Sequence, residues 1–216
     1  MKVLNLYACL GGNRYKWNEV NDDIEVTAVE LDPELARMYQ ERFPNDTVIV
    51  ADAHQYLLDH YQEFDFIWSS PPCPTHSRAR YWGHGSTGKN PVFPDLKLYE
   101  EIIFLQTHFK GKFIVENVIP YYKPLIHATK EIDRHLYWAN FVLTQPKEVR
   151  KVSVCQGKDE YNRLCKFHEV TSEGYKGNQN RIKILRNLVD YEIGEHIFKL
   201  VKGIHEANNE QQTSLF

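Results

Sequence analysis

Cys73 stands in the run Pro71-Pro72-Cys73-Pro74, directly after the apolar stretch Phe64-Asp65-Phe66-Ile67-Trp68. Prolines fix φ and stiffen the turn, so this thiol is held at the mouth of a strand. Further along, Phe113-Ile114-Val115 runs into Glu116-Asn117-Val118. In an open parallel sheet both strand ends face one crevice, where ligands bind. A thiol beside a carboxylic acid suits attack on an electron-poor ring, because the sulfur adds while the acid protonates. A lone cysteine is more often a small buried hydrophobe, but the flanking prolines and the second strand end favour the chemical reading.

These residues need a scaffold that brings two strand ends together. Short apolar or β-branched runs at Val3–Tyr7, Ile24–Val29, Thr47–Val50, Phe64–Trp68 and Lys112–Val115 alternate with helical stretches at Pro33–Phe43, His54–Tyr61 and Asp95–Phe109. Such alternation predicts an α/β, Rossmann-like fold with a mostly parallel sheet flanked by helices. Leu136 to Leu143 reads as a further strand or hairpin, and Pro146 to Asn178 as a polar, irregular insert. Apolar residues at Ile182, Leu185, Val189, Ile193, Ile197 and Leu200 predict one helix to Val201. The segments divide as 1–143, a catalytic and cofactor domain; 144–178, the insert; 179–203, a closing helix; and 204–216, a flexible tail.

The first strand leads into Ala8-Cys9-Leu10-Gly11-Gly12-Asn13, a glycine-bearing turn that lets backbone approach a ligand. Glu30 ends the second strand, where an acid pairs with ribose hydroxyls in Rossmann-like sites. Asp52 follows the third, where it can accept a hydrogen bond from an adenine amino group. No Gly-x-x-x-x-Gly-Lys loop is present, which argues against an ATP-driven reaction.

Together these motifs resemble the cytosine carbon-5 DNA methyltransferases, of class I methyltransferase fold. Asn5-Leu6-Tyr7-Ala8-Cys9-Leu10-Gly11-Gly12 is similar to that family's first motif, Asp-Leu-Phe-Ala-Gly-x-Gly-Gly, with Asn5 and Cys9 as departures. The resemblance implies S-adenosylmethionine as cofactor, held by Tyr7 (lying on adenine), Leu10, Gly11, Gly12, Glu30, Leu31, Asp52, Ala53, Pro71, Asn187 and Leu188. It implies Cys73 as the nucleophile that adds to cytosine carbon 6 and Glu116 as the acid at ring nitrogen 3. Arg134 in Asp133-Arg134-His135 falls where an Arg-x-Arg segment touches the base, and His135 can share that role. Arg186-Asn187-Leu188-Val189 looks like a degenerate final motif closing over the cofactor. The usual Gln after Pro-Pro-Cys is Pro74 here. A competing reading takes Ser70-Pro71-Pro72 as the start of an amino-methyltransferase motif, and another keeps a DNA- or clamp-binding module without turnover.

Such enzymes flip their base out of the duplex. The acid-free stretch from His76 to Lys89 supplies Ser77, Arg78, Arg80, Tyr81, Trp82 and Lys89 as DNA-contacting candidates, joined by His135 and Arg181. Arg78, Arg80 and a helix N-terminus are expected to favour the Cys73 thiolate. Local basic patches permit double-stranded DNA as partner despite a net charge of -3. Residues 144–178 form a reduced target-recognition region, so the target site should be short or relaxed, or read with help from a partner, as in a compact modification enzyme of a phage, mobile element or restriction–modification system. The terminal Gln212-Thr213-Ser214-Leu215-Phe216 resembles the peptide that binds the bacterial sliding clamp.

Hydrophobic content of 42% and charged content of 25% are those of a globular protein. No apolar run reaches the roughly twenty residues of a membrane helix. Four irregularly spaced cysteines suggest free thiols and a cytoplasmic setting. Cys155, Cys165 and His168 lack a paired Cys-x-x-Cys, so no metal site is expected.

Overall fold

The computed structural model describes residues 1–78, 92–154 and 157–204. Seven strands form one sheet: β1 (Lys2–Leu6), β2 (Glu25–Glu30), β3 (Thr47–Val50), β4 (Phe66–Ser69), β5 (Lys112–Val118), β6 (Lys130–Ile132) and β7 (His135–Ala139). Their order is β3-β2-β1-β4-β5-β7-β6, parallel from β3 to β5, with β7 antiparallel to β5 and to β6. This is a mostly parallel, Rossmann-like sheet flanked by helices.

The central strands are apolar on both faces because helices cover both. Phe66, Trp68 and Ile114 point to one layer, packed with Trp17 of α1 (Trp17–Val20) and with Ile197 and Phe198 of α7 (Tyr191–Val201). Ile67, Phe113 and Val115 alternate to the other, packed with Leu57 of α3 (Ala53–His60) and with Ile102 and Leu105 of α4 (Lys97–His108). Trp17 stacks on Phe198 at 5.0 Å. Beneath α2 (Pro33–Arg42), Arg14 forms a two-pronged buried pair with Asp46 at 2.9 and 2.8 Å, and the Tyr39 hydroxyl donates to the same carboxylate at 2.8 Å.

Three sequence expectations change. First, β5 runs to Val118, not Val115, because β7 supplies an antiparallel ladder as far as Val118 opposite His135. Second, residues 146–178 hold a helix, α5 (Glu160–His168), whose Leu164 packs with Leu10, Leu35 and Leu185. Third, the expected single helix from Ile182 is two, α6 (Arg181–Arg186) and α7. Asp190 caps α7 by accepting from the Glu192 N–H at 3.1 Å and also pairs with Arg150. An N-cap side chain competes with continued helix, so the chain breaks before it.

The break has a packing role. A Cβ on Gly12 would lie 2.5 Å from the Val189 carbonyl oxygen, and one on Gly194 would lie 2.2 Å from that of Asn13. The glycine turn after β1 and the α6–α7 junction are therefore backbone against backbone.

Candidate active site

One cleft of about 540 Å³ opens at the carboxyl ends of β1, β2, β4 and β5. Its volume suits a small molecule. It lies where the strand order reverses between β1 and β4, the position that open α/β sheets use for ligands.

At one end stand Cys73 and Glu116. The turn that bears Cys73 is pinned from both sides. Asn117 Nδ2 donates to the Pro71 carbonyl at 2.9 Å, and the N–H groups of His76 and Ser77 both donate to the Cys73 carbonyl at 3.0 Å. Glu116 is buried, and His135 Nε2 lies 3.5 Å from its carboxylate. The register explains that approach: Glu116 pairs with Tyr137, so His135, two residues back, is its diagonal neighbour on the same face.

Burial pushes the Cys73 thiol up to about 11, with the Glu116 charge adding to it, while Lys183 pulls the other way. The expectation for Arg78 is thereby corrected. It is exposed, and its Nε donates to the Pro120 carbonyl at 3.3 Å; among the described residues, the cation that favours the thiolate is Lys183 of α6. Arg134 is also corrected. It sits on the β6–β7 turn, half exposed and 3.4 Å from Asp133, and does not line the cleft. The turn itself places Asp133 at φ +53°. Of that segment, His135 is the residue brought to the cleft.

At the other end are Tyr7, Glu30, Leu31, Asp52, Ala53 and, from across the mouth, Asn187. Glu30 joins two loops, accepting from the Cys9 N–H and the Asp32 N–H, both at 2.9 Å. Its burial raises its carboxyl above the ordinary range. Asp52 caps α3 through the Gln55 N–H at 2.9 Å and still faces the cleft. Leu31 is 66% exposed there, an apolar wall without protein cover. Tyr7 and Cys9 both take left-handed backbone, at φ +57° and +48°. Side chains other than glycine adopt this at a cost, so the turn after β1 is held by its surroundings.

Leu10, Gly11, Gly12 and Leu188 do not line this cleft. Leu10 is core, Gly11 packs against the rings of Tyr39 and Phe43, and Gly12 and Leu188 meet each other. Glycines at a turn can serve ligand approach or close packing, and close packing surrounds both of these. Pro71 lines the cleft. Among the DNA candidates, Ser77 forms a bridge with Pro120 and Arg181 is exposed at the start of α6. Arg80, Tyr81, Trp82, Lys89, Cys155 and the terminal Gln212–Phe216 lie outside the described residues.

Several contributors are not apparent in the sequence. Asp32 caps α2 with one oxygen, while its other accepts from the Tyr175 hydroxyl at 2.5 Å and from Gln179 Nε2 at 3.0 Å. Residues before α6 are thereby fastened across the cofactor end. The Asp-Pro start of α2 signals the cap, but nothing local signals a partner 143 residues away. Among the described residues no group of three side chains could hold a metal ion, and no helix is long and apolar enough to cross a membrane.

The sequence pattern of the C-5 cytosine-specific DNA methylase family matches residues 1–136. No curated protein matches the chain. Similar solved structures include DNMT2 of Spodoptera frugiperda, 25% identical over 54% of this chain and 35% of that one, with a TM-score of 0.37. A putative DNA modification methyltransferase encoded within an Escherichia coli prophage is 19% identical over 57% and 33%, with a TM-score of 0.38. A conserved hypothetical protein of Streptococcus pyogenes is 13% identical over 67% and 89%, at 0.42. The chain thus spans about a third of the insect protein's length. Since the family pattern covers more than half of the chain, Cys73 and Glu116 included, this chain belongs to the C-5 cytosine-specific DNA methylase family.

Proposed function

We propose that this chain transfers a methyl group from S-adenosylmethionine to carbon 5 of cytosine in DNA through a covalent Cys73 adduct. The observation that carries the reading is one cleft with Cys73 and Glu116 at one end and Glu30, Leu31 and Asp52 at the other. Two carboxylates at strand and helix ends beside an exposed apolar wall suit a nucleoside. The cleft is large enough for the cofactor and a base edge together. When bound, S-adenosylmethionine supplies an electrophilic methyl.

Cytosine carbon 5 is too weak a nucleophile to take that methyl unaided. The Cys73 thiolate adds to carbon 6 while the Glu116 carboxyl gives a proton to ring nitrogen 3, which leaves carbon 5 electron-rich. Once carbon 5 carries the methyl, loss of its proton to a base expels the sulfur as thiolate while ring nitrogen 3 returns its proton to Glu116, which restores the ring. Burial leaves the resting thiol largely protonated at neutral pH, so substrate and Lys183 must together favour the anion. Asn117 holds the turn, and His135 faces Glu116 from the neighbouring strand.

The reading takes double-stranded DNA as partner, residues 144–178 as a reduced target-recognition region and Gln212–Phe216 as a clamp-binding tail. The test is transfer of labelled methyl to duplex DNA, followed by digestion to nucleosides. Label in 5-methylcytosine supports the proposal. Label in an exocyclic amine moves amino-methylation ahead. Binding without label leaves a non-catalytic module.

A further inference from the structure

Behind the cleft lies a carboxylate that neither the thiol nor the acid chemistry uses. Glu101 of α4 is fully buried and no lysine or arginine pairs with it among the described contacts. Three donors from three different elements converge on it instead. The Tyr7 hydroxyl, after β1, donates to Oε1 at 2.6 Å. His54 Nδ1, in the first turn of α3, shares that oxygen at 3.0 Å. The Ser69 hydroxyl, at the end of β4, donates to Oε2 at 2.5 Å.

Two of the donors sit beside one end of the cleft wall and the third beside the other. Tyr7 lines the cofactor end itself and is held at φ +57°. His54 follows Asp52 and Ala53, which line the same end. Ser69 precedes Ser70, Pro71 and Pro72, the approach to Cys73. A buried carboxylate is costly unless paired or fully hydrogen-bonded, and low dielectric strengthens each bond it makes. Charge also favours the arrangement: Glu101, with Glu100 beyond it at 3.6 Å, raises the His54 pKa against burial and the nearby Lys97.

Resting on the proposed reading of the cleft, we propose that Glu101 is a positioning residue that fixes cofactor wall and nucleophile turn to one point. Its two oxygens divide the labour. Oε1 serves the cofactor end through Tyr7 and His54, and Oε2 serves the Cys73 end through Ser69.

The experiment compares the full-length protein with Tyr7→Phe, Ser69→Ala and Glu101→Gln. Each is measured for S-adenosylhomocysteine affinity by calorimetry, for methyl transfer over a range of cofactor concentrations, and for melting temperature. Tyr7→Phe should weaken cofactor binding and raise its KM about tenfold, one strong hydrogen bond's worth, with kcat within twofold. Ser69→Ala should lower kcat about tenfold with affinity unchanged, and Glu101→Gln should move both. A general loss of structure would instead lower melting temperature and shift both constants together in every variant. That pattern, or Tyr7→Phe and Ser69→Ala with indistinguishable effects, overturns the inference while wild-type binding leaves the cleft's assignment standing. Absence of S-adenosylhomocysteine binding in the wild type sinks the assignment and this inference with it.

Discussion

Gly12→Ala isolates the packing role that the structure gives to the glycine turn. Gly12 does not need a left-handed backbone, so an alanine there adds a methyl and no torsional strain. That methyl would meet the Val189 carbonyl oxygen at 2.5 Å, Leu188 Cβ at 3.1 Å and the Val189 nitrogen at 3.3 Å. Two of the three are backbone, which cannot rotate aside. Overpacking of this kind costs about 1–3 kcal/mol, and a backbone neighbour puts it at the upper end. Reduced freedom of the unfolded chain returns about 0.4–1 kcal/mol. The net, about 2 kcal/mol, lowers Tm by about 4–8 °C for a chain of this size. Because Asn187 adjoins the displaced Leu188, cofactor affinity should fall with it. Thermal melting of Gly12→Ala beside the unsubstituted protein is the assay. An unchanged Tm for Gly12→Ala refutes the backbone-on-backbone contact.

Other outcomes follow from the same geometry. Asn117→Ala leaves the Pro71 carbonyl without its side-chain donor. A lost partner of about 1.4 kcal/mol should slow methyl transfer about tenfold, and an undiminished rate contradicts the pinning of the turn. Alkylation of Cys73, followed by peptide mass spectrometry, should rise with pH toward a midpoint of about 11. The Glu116 charge opposes the thiolate, so Glu116→Gln should move that midpoint down; a midpoint that stays or rises contradicts the sign. Asp46→Ala strands Arg14, whose side chain is 5% exposed. Removing one partner of a buried pair costs about 3–5 kcal/mol, so urea unfolding that shows less than about 1 kcal/mol would show the pair to be unimportant.

Short apolar runs made the sheet legible, because both faces of a parallel sheet are apolar, as Phe66-Ile67-Trp68 in β4 and Phe113-Ile114-Val115 in β5 show. Pro71-Pro72-Cys73 and Glu116-Asn117 were legible for the same reason: each terminates such a run. What escaped depended on partners distant in sequence. Val118 joins β5 only because β7 pairs with it. The split between α6 and α7 follows from Asp190 acting as cap and from Gly12 and Gly194 drawing backbones together, against an apolar spacing that favours one helix. Arg134 carries the expected residue type but sits on a tight turn outside the lining of the cleft, while His135 beside it lines the cleft. Glu101 reads as one acid in a charged helix, and only the fold reveals three donors converging on it.

The most direct test of covalent cytosine methylation uses duplex DNA whose cytosines carry fluorine at carbon 5. Fluorine cannot leave as a proton does, so the sulfur adduct is trapped when S-adenosylmethionine is present. The account predicts a DNA-shifted band on a denaturing gel that disappears in Cys73→Ala. Cofactor and DNA binding without any such band would contradict it.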